Sequence, residues 1–582
     1  MTDTQLASTL ARLDGKPYPA YKDIKGVYSF PRFDLSIDRI QGDPFAAPSR
    51  LSIRISHEDS GLPSNLYSSI SRKTGSETCL ASLFSAACRK GCSRLGSGKS
   101  GMLSIDTPGQ EVLLRTCVEI RQDDTVIRFT AGLPANGRRI MGRAAAQLLT
   151  ETISDIVDDS LVYQNIDADR ILSFALVNED AEFLRSSLNE RGLVAFVADG
   201  AILPRISGVD NHPLKAAIPF SSPDSLRTSI ILPNAGAISG MGIPCGITLI
   251  VGGGYHGKST LLDSIERGVY NHIPGDGREQ VVALADSTKV RAEDGRSVAG
   301  VDLSPFITNL PGGKSTLEFS SENASGSTSQ AASIVEVLET GASTLLIDED
   351  ISATNFLIRD ARMQKLIAPE KEPITPFSQR VRSLYEEHSI STIIVLGGSS
   401  DYFEPAHRVI ALEDYIPHDR TEDAKALCLG HDTSTSLPVL STVDGVCRES
   451  KRFALPQSIN PYKKSTPYRG ARYGGGSPRK NVKVSGMGTI LFGSEEIDLS
   501  LCSQIVDAAQ TRAIAAALAY GADQDVFDSS SLMDALKQIQ EIVKSQGLSV
   551  LEGYDLAEFR IQEFAAALNR LRSLKVKIEL NR

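Results

Sequence analysis

The sequence predicts an α/β core with a parallel sheet, set between an N-terminal α+β domain and a C-terminal, mainly helical domain. Three observations carry this prediction. Short aliphatic runs at 247–251, 344–347 and 392–396, each followed by a turn signal and separated by helical stretches, read as buried parallel strands. Ahead of them, alternating runs at 50–55, 111–115 and 125–130 accompany a helical stretch at 142–157, the mixture expected of an α+β layer. Beyond Ile497, apolar residues recur at helical spacing, as at Leu532, Leu536, Ile539 and Ile542. At 582 residues the chain has room for several cores. The expected segments are 1–215, 216–448, a basic Gly/Pro/Ser-rich linker at 449–494, and 495–582.

Composition excludes some classes. Hydrophobic residues make up 41%, charged residues 23%, and the net charge is -10, as in an ordinary globular protein rather than a disordered or fibrous one. Bulk charge gives no hint of nucleic acid. The eight cysteines are scattered without paired spacing, so free thiols are expected and zinc is not. The start lacks an apolar leader and an arginine-rich transit pattern, which makes the cytoplasm the expected compartment and leaves a mitochondrial one open. No apolar run approaches the roughly 20 residues that cross a bilayer, so stable membrane insertion is not expected.

The chemistry is announced by Gly252-Gly253-Gly254-Tyr255-His256-Gly257-Lys258-Ser259, which satisfies G-x-x-x-x-G-K-[ST] between a strand and a helix. Glycines let successive backbone N–H groups close around phosphate oxygens. Lys258 reaches the outer phosphates, the Ser259 hydroxyl ligates Mg²⁺, and Thr260 follows at the positive end of the helix. Two other G-K-S strings, at 98–100 and 313–315, lack the first glycine and the preceding strand, and read as turns. Downstream, an aliphatic run ends in Asp348 and Glu349. Asp348 is expected to hold Mg²⁺ and Glu349 to orient and deprotonate an attacking water, the pair that separates hydrolases from mere binders of ATP. A Ser/Gly-rich segment, 324–330, opens a further helix.

Taken together these residues resemble the predicted ATPases of the ABC class, a family that includes a trypanosome mitochondrial RNA-editing accessory ATPase. The resemblance rests on 133–139, 198–205, 252–262, 268–279, 291–296, 324–332, Asp348-Glu-Asp-Ile-Ser-Ala-Thr-Asn-Phe356 and 509–513, and so spans nearly the whole chain. It implies an ABC-type P-loop core and a homodimer in which Ser325 and Gly326 act as signature residues toward the other chain's γ-phosphate. Ser325 precedes Asp348 by 23 residues (348 − 325), the family's interval. Residues 352–355 would then couple the two sites. Three departures stand out. The interval from Lys258 to Ser325 is only 67 residues (325 − 258), too short for a transporter motor's helical subdomain. Gly397-Gly-Ser-Ser-Asp401 stands where a switch histidine is usual, passing γ-phosphate sensing to Ser399 or Ser400, and Ser327 replaces a second signature glycine.

Other residues invite weaker readings. His256 and His272 read as spacers or structural groups rather than bases. Arg291, Glu293, Asp294 and Arg296 read either as nucleotide or dimer contacts or as a turn held by mutual ion pairs. Arg89, Lys90, Arg94 and Lys99 in a Gly/Ser-rich stretch, with the acid-free island after Arg452 and its tyrosines, form candidate RNA contacts. The competing reading is a nucleotide-gated switch or scaffold for a protein partner, with the basic segments as linkers.

Overall fold

Alternating apolar residues at Leu35, Ile37, Leu51, Ile53 and Ile55 turn one face of two adjacent strands, Phe33–Arg39 and Ser49–Ser56, into a core. Gly26–Ser29, Asp124–Ala131, Leu103–Ser104 and Val118–Ile120 complete an antiparallel sheet. The helix Ile70–Gly91 contributes Leu80 and Phe84 to the same core, and Ser69 caps it by accepting the Arg72 N–H. The expected helix at 142–157 forms as Gly142–Ala146 and Ile153–Leu161 joined by a π-helical turn. The computed structural model describes residues 1–308, 310, 313, 315–359, 371–429, 450–463 and 479–580. It divides into two units, one of Met1–Glu182, His272–Pro274 and Glu552–Glu558, the other of Phe183–Asn271, Gly275–Leu551 and Phe559–Arg582.

Glu77, inside the first unit's long helix, is the unexpected polar member of this core. Its Oε1 accepts the Ile120 N–H at 2.8 Å, while Oε2 has no hydrogen-bond partner. Burial pushes its carboxyl up to about 8 although Lys73 lies 3.8 Å away. A carboxyl raised on folding stabilises the fold fully below its unfolded value, and that contribution is lost as pH rises through about 8. Glu77→Gln should therefore flatten the fall in melting temperature between pH 6 and pH 9, by about 5 °C at the alkaline end. Parallel melting curves for the two proteins would refute this.

The second unit holds the α/β core. Its main sheet runs in the order Thr288–Val290, Thr344–Asp348, Ser391–Val395, Ile247–Gly252, Arg408–Glu413, Ile416–Asp419, parallel except for the last pair. Its aliphatic strands are buried on both faces, which is why they read as continuous apolar runs. Phe306, Phe356 and Phe377 pack together in the same core. A second, antiparallel sheet joins Arg227–Leu232, Gly236–Pro244, Leu193–Ala198 and Val281–Ala283. The strand Leu193–Ala198 thus belongs to this unit, whereas the sequence reading counts it within 1–215.

The C-terminal helices Ala508–Asp523, Leu532–Gln546 and Ile561–Asn569 form as expected, joined by a three-stranded sheet over 482–498 that periodicity did not announce. The flanks of the basic 449–494 segment are structured rather than linker. Ser450–Ala454 pairs with Val576–Leu580, and Tyr462–Lys463 pairs with Arg479–Lys480. Residues 464–478, Lys314 and Cys447 lie outside the described residues. The described cysteines are all free thiols. Among the described residues no helix is long and apolar enough to cross a membrane.

Candidate functional site

Strand Ile247–Gly252 sits inside the parallel sheet, and its carboxyl end delivers the loop to helix Lys258–Arg267. Open α/β sheets bind ligands at this end of their strands. Gly252 adopts φ +139°, and a Cβ there would lie 2.5 Å from the Leu412 carbonyl oxygen, so this position admits only glycine. Gly253, Gly254 and Tyr255 are exposed, and no atom comes within 4 Å of where a Cβ on Gly254 would stand. The Lys258 ammonium donates to the Gly252 and Gly253 carbonyls at 2.8 Å each, which holds it across the loop's own mouth. His256 is a strut: its Nδ1 accepts the Asp414 N–H at 2.7 Å and ties the turn at 414–415 to the loop. His272 is buried.

The carboxylates come from the strand two places away. Asp348 is buried at the end of Thr344–Asp348, and burial raises its carboxyl above the usual range. It accepts the Asp350 N–H at 3.2 Å, and the nearby Ser259 hydroxyl favours its charged form, which puts the two predicted Mg²⁺ ligands close to each other across the sheet. Two hard oxygen donors on one side of the loop suit a magnesium ion held with nucleotide phosphates. Pairing of Asp348 with Val395 brings the following turn beside Glu349, whose Oε2 accepts the Gly397 N–H at 2.5 Å. Ser399 spends its Oγ on the Asp401 N–H.

Ser325 and Gly326 open the helix Gly326–Glu339 without a side-chain cap. Among the described residues their neighbours are Thr328, Ala292 and Asp294, not the phosphate loop. The serine that replaces the second glycine has a role: Ser327 Oγ donates to Asn355 Oδ1 at 2.6 Å. Gln330 donates to Ser352 Oγ at 2.9 Å and accepts the Ala353 N–H at 2.8 Å, and Ser352 Oγ donates back to the Asp348 carbonyl. The helix Gly326–Glu339 and the segment after the carboxylates form one network. The charged turn before it is paired outward, not with itself: Glu293 meets Arg570, and Arg296 meets Glu336, all four buried or nearly so. Burial alone would raise the Glu293 carboxyl, but the Arg570 guanidinium outweighs it and holds it below the usual range.

In the first unit Arg89 and Lys90 end the helix Ile70–Gly91, with Arg94 exposed and Lys99 half-buried in the turns that follow. Arg89 donates to Ser85 Oγ at 3.0 Å, and among the described residues none of the four pairs with a carboxylate.

Comparison with known proteins gives the site its lineage. Three family models match in succession: the N-terminal domain of ATPases of the ABC class over residues 3–164, their P-loop domain over 167–444, and the MRB1590 C-terminal domain over 481–577. The chain belongs to the ABC-class ATPases. An uncharacterized protein of Methanocaldococcus jannaschii is 28% identical over 289 residues, covering 48% of this chain and 63% of that one, so the match spans less than two thirds of the relative. The solved structure of cbiO1 from Clostridium perfringens, part of the ABC transporter complex cbiONQ, aligns over 34% of this chain and 90% of its own at 15% identity, with a TM-score of 0.23.

Sequence reasoning about this ABC-class ATPase missed two features beside the loop. Gly397 offers a backbone N–H, which no motif records. A cavity of ≈350 Å³ is lined by Gly257, Thr260 and Leu261 of the loop and its helix and by apolar residues that include Leu203, Ile218, Phe220 and Tyr415. Its residues are far apart in the chain, and only the aromatic Tyr415 after a turn-forming Asp414 could have hinted at it.

Proposed function

We propose that this ABC-class ATPase binds ATP with Mg²⁺ and hydrolyses it as a homodimer, and that the cycle is coupled to structured RNA. The observation that carries the ATPase reading is the convergence of the Lys258 loop, the Ser259–Asp348 pair and Glu349 at the carboxyl end of one sheet. Bound magnesium and ATP supply an electrophilic γ-phosphorus whose charge is neutralised for in-line attack. The protein does the rest. Lys258 exchanges its two carbonyl acceptors for phosphate oxygens, and Ser259 with Asp348 holds the metal. The Gly397 N–H fixes one oxygen of Glu349, leaving Oε1 to orient the water and take its proton. Ser325 and Gly326, turned away from their own loop at the positive end of an uncapped helix, are available to a γ-phosphate on the other chain.

The purified protein should release phosphate from ATP only with Mg²⁺, and Lys258→Ala should lower the rate about 100-fold or more. Undiminished turnover in that variant would remove the site assignment. Support for RNA is the carboxylate-free cluster of Arg89, Lys90, Arg94 and Lys99 in an otherwise acidic chain, together with the resemblance to a family that includes an RNA-editing accessory ATPase. Charge reversal of Arg89, Lys90 and Arg94 should reduce the log–log salt slope of RNA binding by about 2 to 3. No RNA binding at low salt would favour a nucleotide-gated switch acting on a protein partner.

A further inference from the structure

The helix Lys258–Arg267 starts at the phosphate loop, and its far end is held by a residue from a distant part of the chain. There the Gln504 amide donates to the Glu266 carbonyl at 3.2 Å and to the Ser287 carbonyl at 3.0 Å, and accepts the Lys289 N–H at 3.1 Å. Gln504 comes from the stretch 481–577 that matches the C-terminal family model, whereas the groups it binds lie within the P-loop match. It is buried, and the three bonds use both of its amide hydrogens and its oxygen. A helix leaves its last carbonyls without intrahelical partners, so a buried helix end needs such a donor.

The amide joins two elements of the nucleotide site. Glu266 belongs to the phosphate-loop helix, and Lys289 to Thr288–Val290, the strand that pairs in parallel with Thr344–Asp348. Lys289 repeats the link with its side chain: its ammonium, 8% exposed, meets Asp263 at 3.0 Å and Glu266 at 2.7 Å on the same helix. Gln504 is itself seated. Its carbonyl accepts the Tyr270 hydroxyl at 2.9 Å, and Gln510 donates to that hydroxyl at 3.1 Å. Arg560 donates to the Ala285 and Ser287 carbonyls at 2.8 and 2.9 Å, with its guanidinium 5.7 Å from the centre of the Tyr270 ring. Tyr270 and Gln510 lie in 268–279 and 509–513, two stretches that carry the family resemblance and that phosphate chemistry does not call on.

This joint acts on the metal site through the helix. Ser259 is on the helix and Asp348 ends the strand next to that of Lys289, so the separation of these two groups follows how the helix sits against the sheet. The loop fixes the helix at its start, and Gln504 with Lys289 fixes it at its end. The ten residues of the helix span only about 15 Å, so a shift at one end is felt at the other. Misplacing a reacting group by about 1 Å costs about 100-fold in rate, and groups that orient metal ligands from behind are worth about 10-fold to 100-fold. We infer that Gln504 is a positioning residue for hydrolysis, through which the C-terminal segment sets where Ser259 stands relative to Asp348.

This inference rests on the magnesium-dependent ATPase reading above, and the test separates the two. Phosphate release would be measured against Mg²⁺ and against ATP for the wild type, Gln504→Met, Gln504→Glu, Tyr270→Phe and Leu536→Ala, with metal-free ATP binding followed by calorimetry. Methionine keeps the length of Gln504 without its hydrogen bonds, and glutamate keeps only an acceptor for the Lys289 N–H. Both variants should lower kcat about tenfold and raise the Mg²⁺ concentration for half-maximal turnover about tenfold, leaving metal-free ATP binding within about twofold. Tyr270→Phe removes one hydroxyl and should move both quantities the same way by about threefold. Leu536 is buried on Leu532–Gln546, a helix that supplies none of these bonds, so Leu536→Ala should lower the melting temperature without moving the Mg²⁺ dependence. Wild-type kcat and Mg²⁺ dependence in folded Gln504→Met overturn the inference, and Tyr270→Phe decides in the same way if neither Gln504 variant folds. An equal shift in Leu536→Ala also overturns it, because the effect would then be one of stability. If the wild type releases no phosphate, the ATPase reading itself falls and takes the role of Gln504 with it.

Discussion

Glu349→Gln should bind ATP as tightly as the wild type and turn it over about 100-fold to 10,000-fold more slowly. The substitution is isosteric, and an amide oxygen can still accept the Gly397 N–H that fixes the wild-type side chain. What it cannot do is take a proton from water. In the proposed site ATP is held by Lys258 and the loop, which the change leaves alone. In the proposed homodimer unhydrolysed ATP is held between the two chains, so the variant should accumulate with ATP as a two-chain species on size-exclusion chromatography. Wild-type rates of phosphate release in Glu349→Gln would sink the assignment of the base. A slow variant that stays a single chain with ATP would instead count against Ser325 and Gly326 acting across a dimer.

Arg570→Ala should cost about 3–5 kcal/mol of stability, read from denaturant unfolding followed by a probe in the second unit. Both members of the Arg570–Glu293 pair are about nine-tenths buried, so removing the guanidinium leaves a carboxylate in a poor dielectric without its partner. Replacing both, as Arg570→Met with Glu293→Leu, should recover most of the loss, because no charge remains to be desolvated. A loss under about 1 kcal/mol for the single variant would show that water reaches Glu293. A catalytic effect should accompany the loss. The Glu293 N–H donates to Ser329 Oγ on the helix Gly326–Glu339, and Arg572 donates to the Glu322 carbonyl just ahead of that helix and to the Gly295 carbonyl in the turn at 293–296. Loosening this support should lower kcat with little change in the KM for ATP.

What could be read from the sequence follows from how local each signal is. The phosphate loop is legible because eight consecutive residues, the strand before them and the helix after them must all agree. Asp348 and Glu349 are legible because they end a continuous aliphatic run downstream of a phosphate loop, and the two signals reinforce each other. The main sheet's strands announced themselves by the same continuous burial, but the order that places Asp348 beside Ser259 belongs to pairing and is invisible along the chain. Gly397 acts through a backbone N–H, Ser327 through a partner 28 residues away, and Glu293 through one 277 residues away, so no spacing rule reaches them. The mutual ion pairs considered for 291–296 fail for the same reason: the turn's nearest countercharges come from distant elements. The basic flank looked like linker because it lacks acids and is rich in turn formers, whereas its strands are fixed by partners contributed elsewhere in the chain.

Tyr462–Lys463 and Arg479–Lys480 are tied both to each other and to the helix Ala508–Asp523. Lys480 is bound to Asp523, and the Tyr462 hydroxyl donates to the same carboxylate. One carboxylate at the end of that helix thus clasps both strands, so the place of the strand pair on the C-terminal helices hangs on a single side chain.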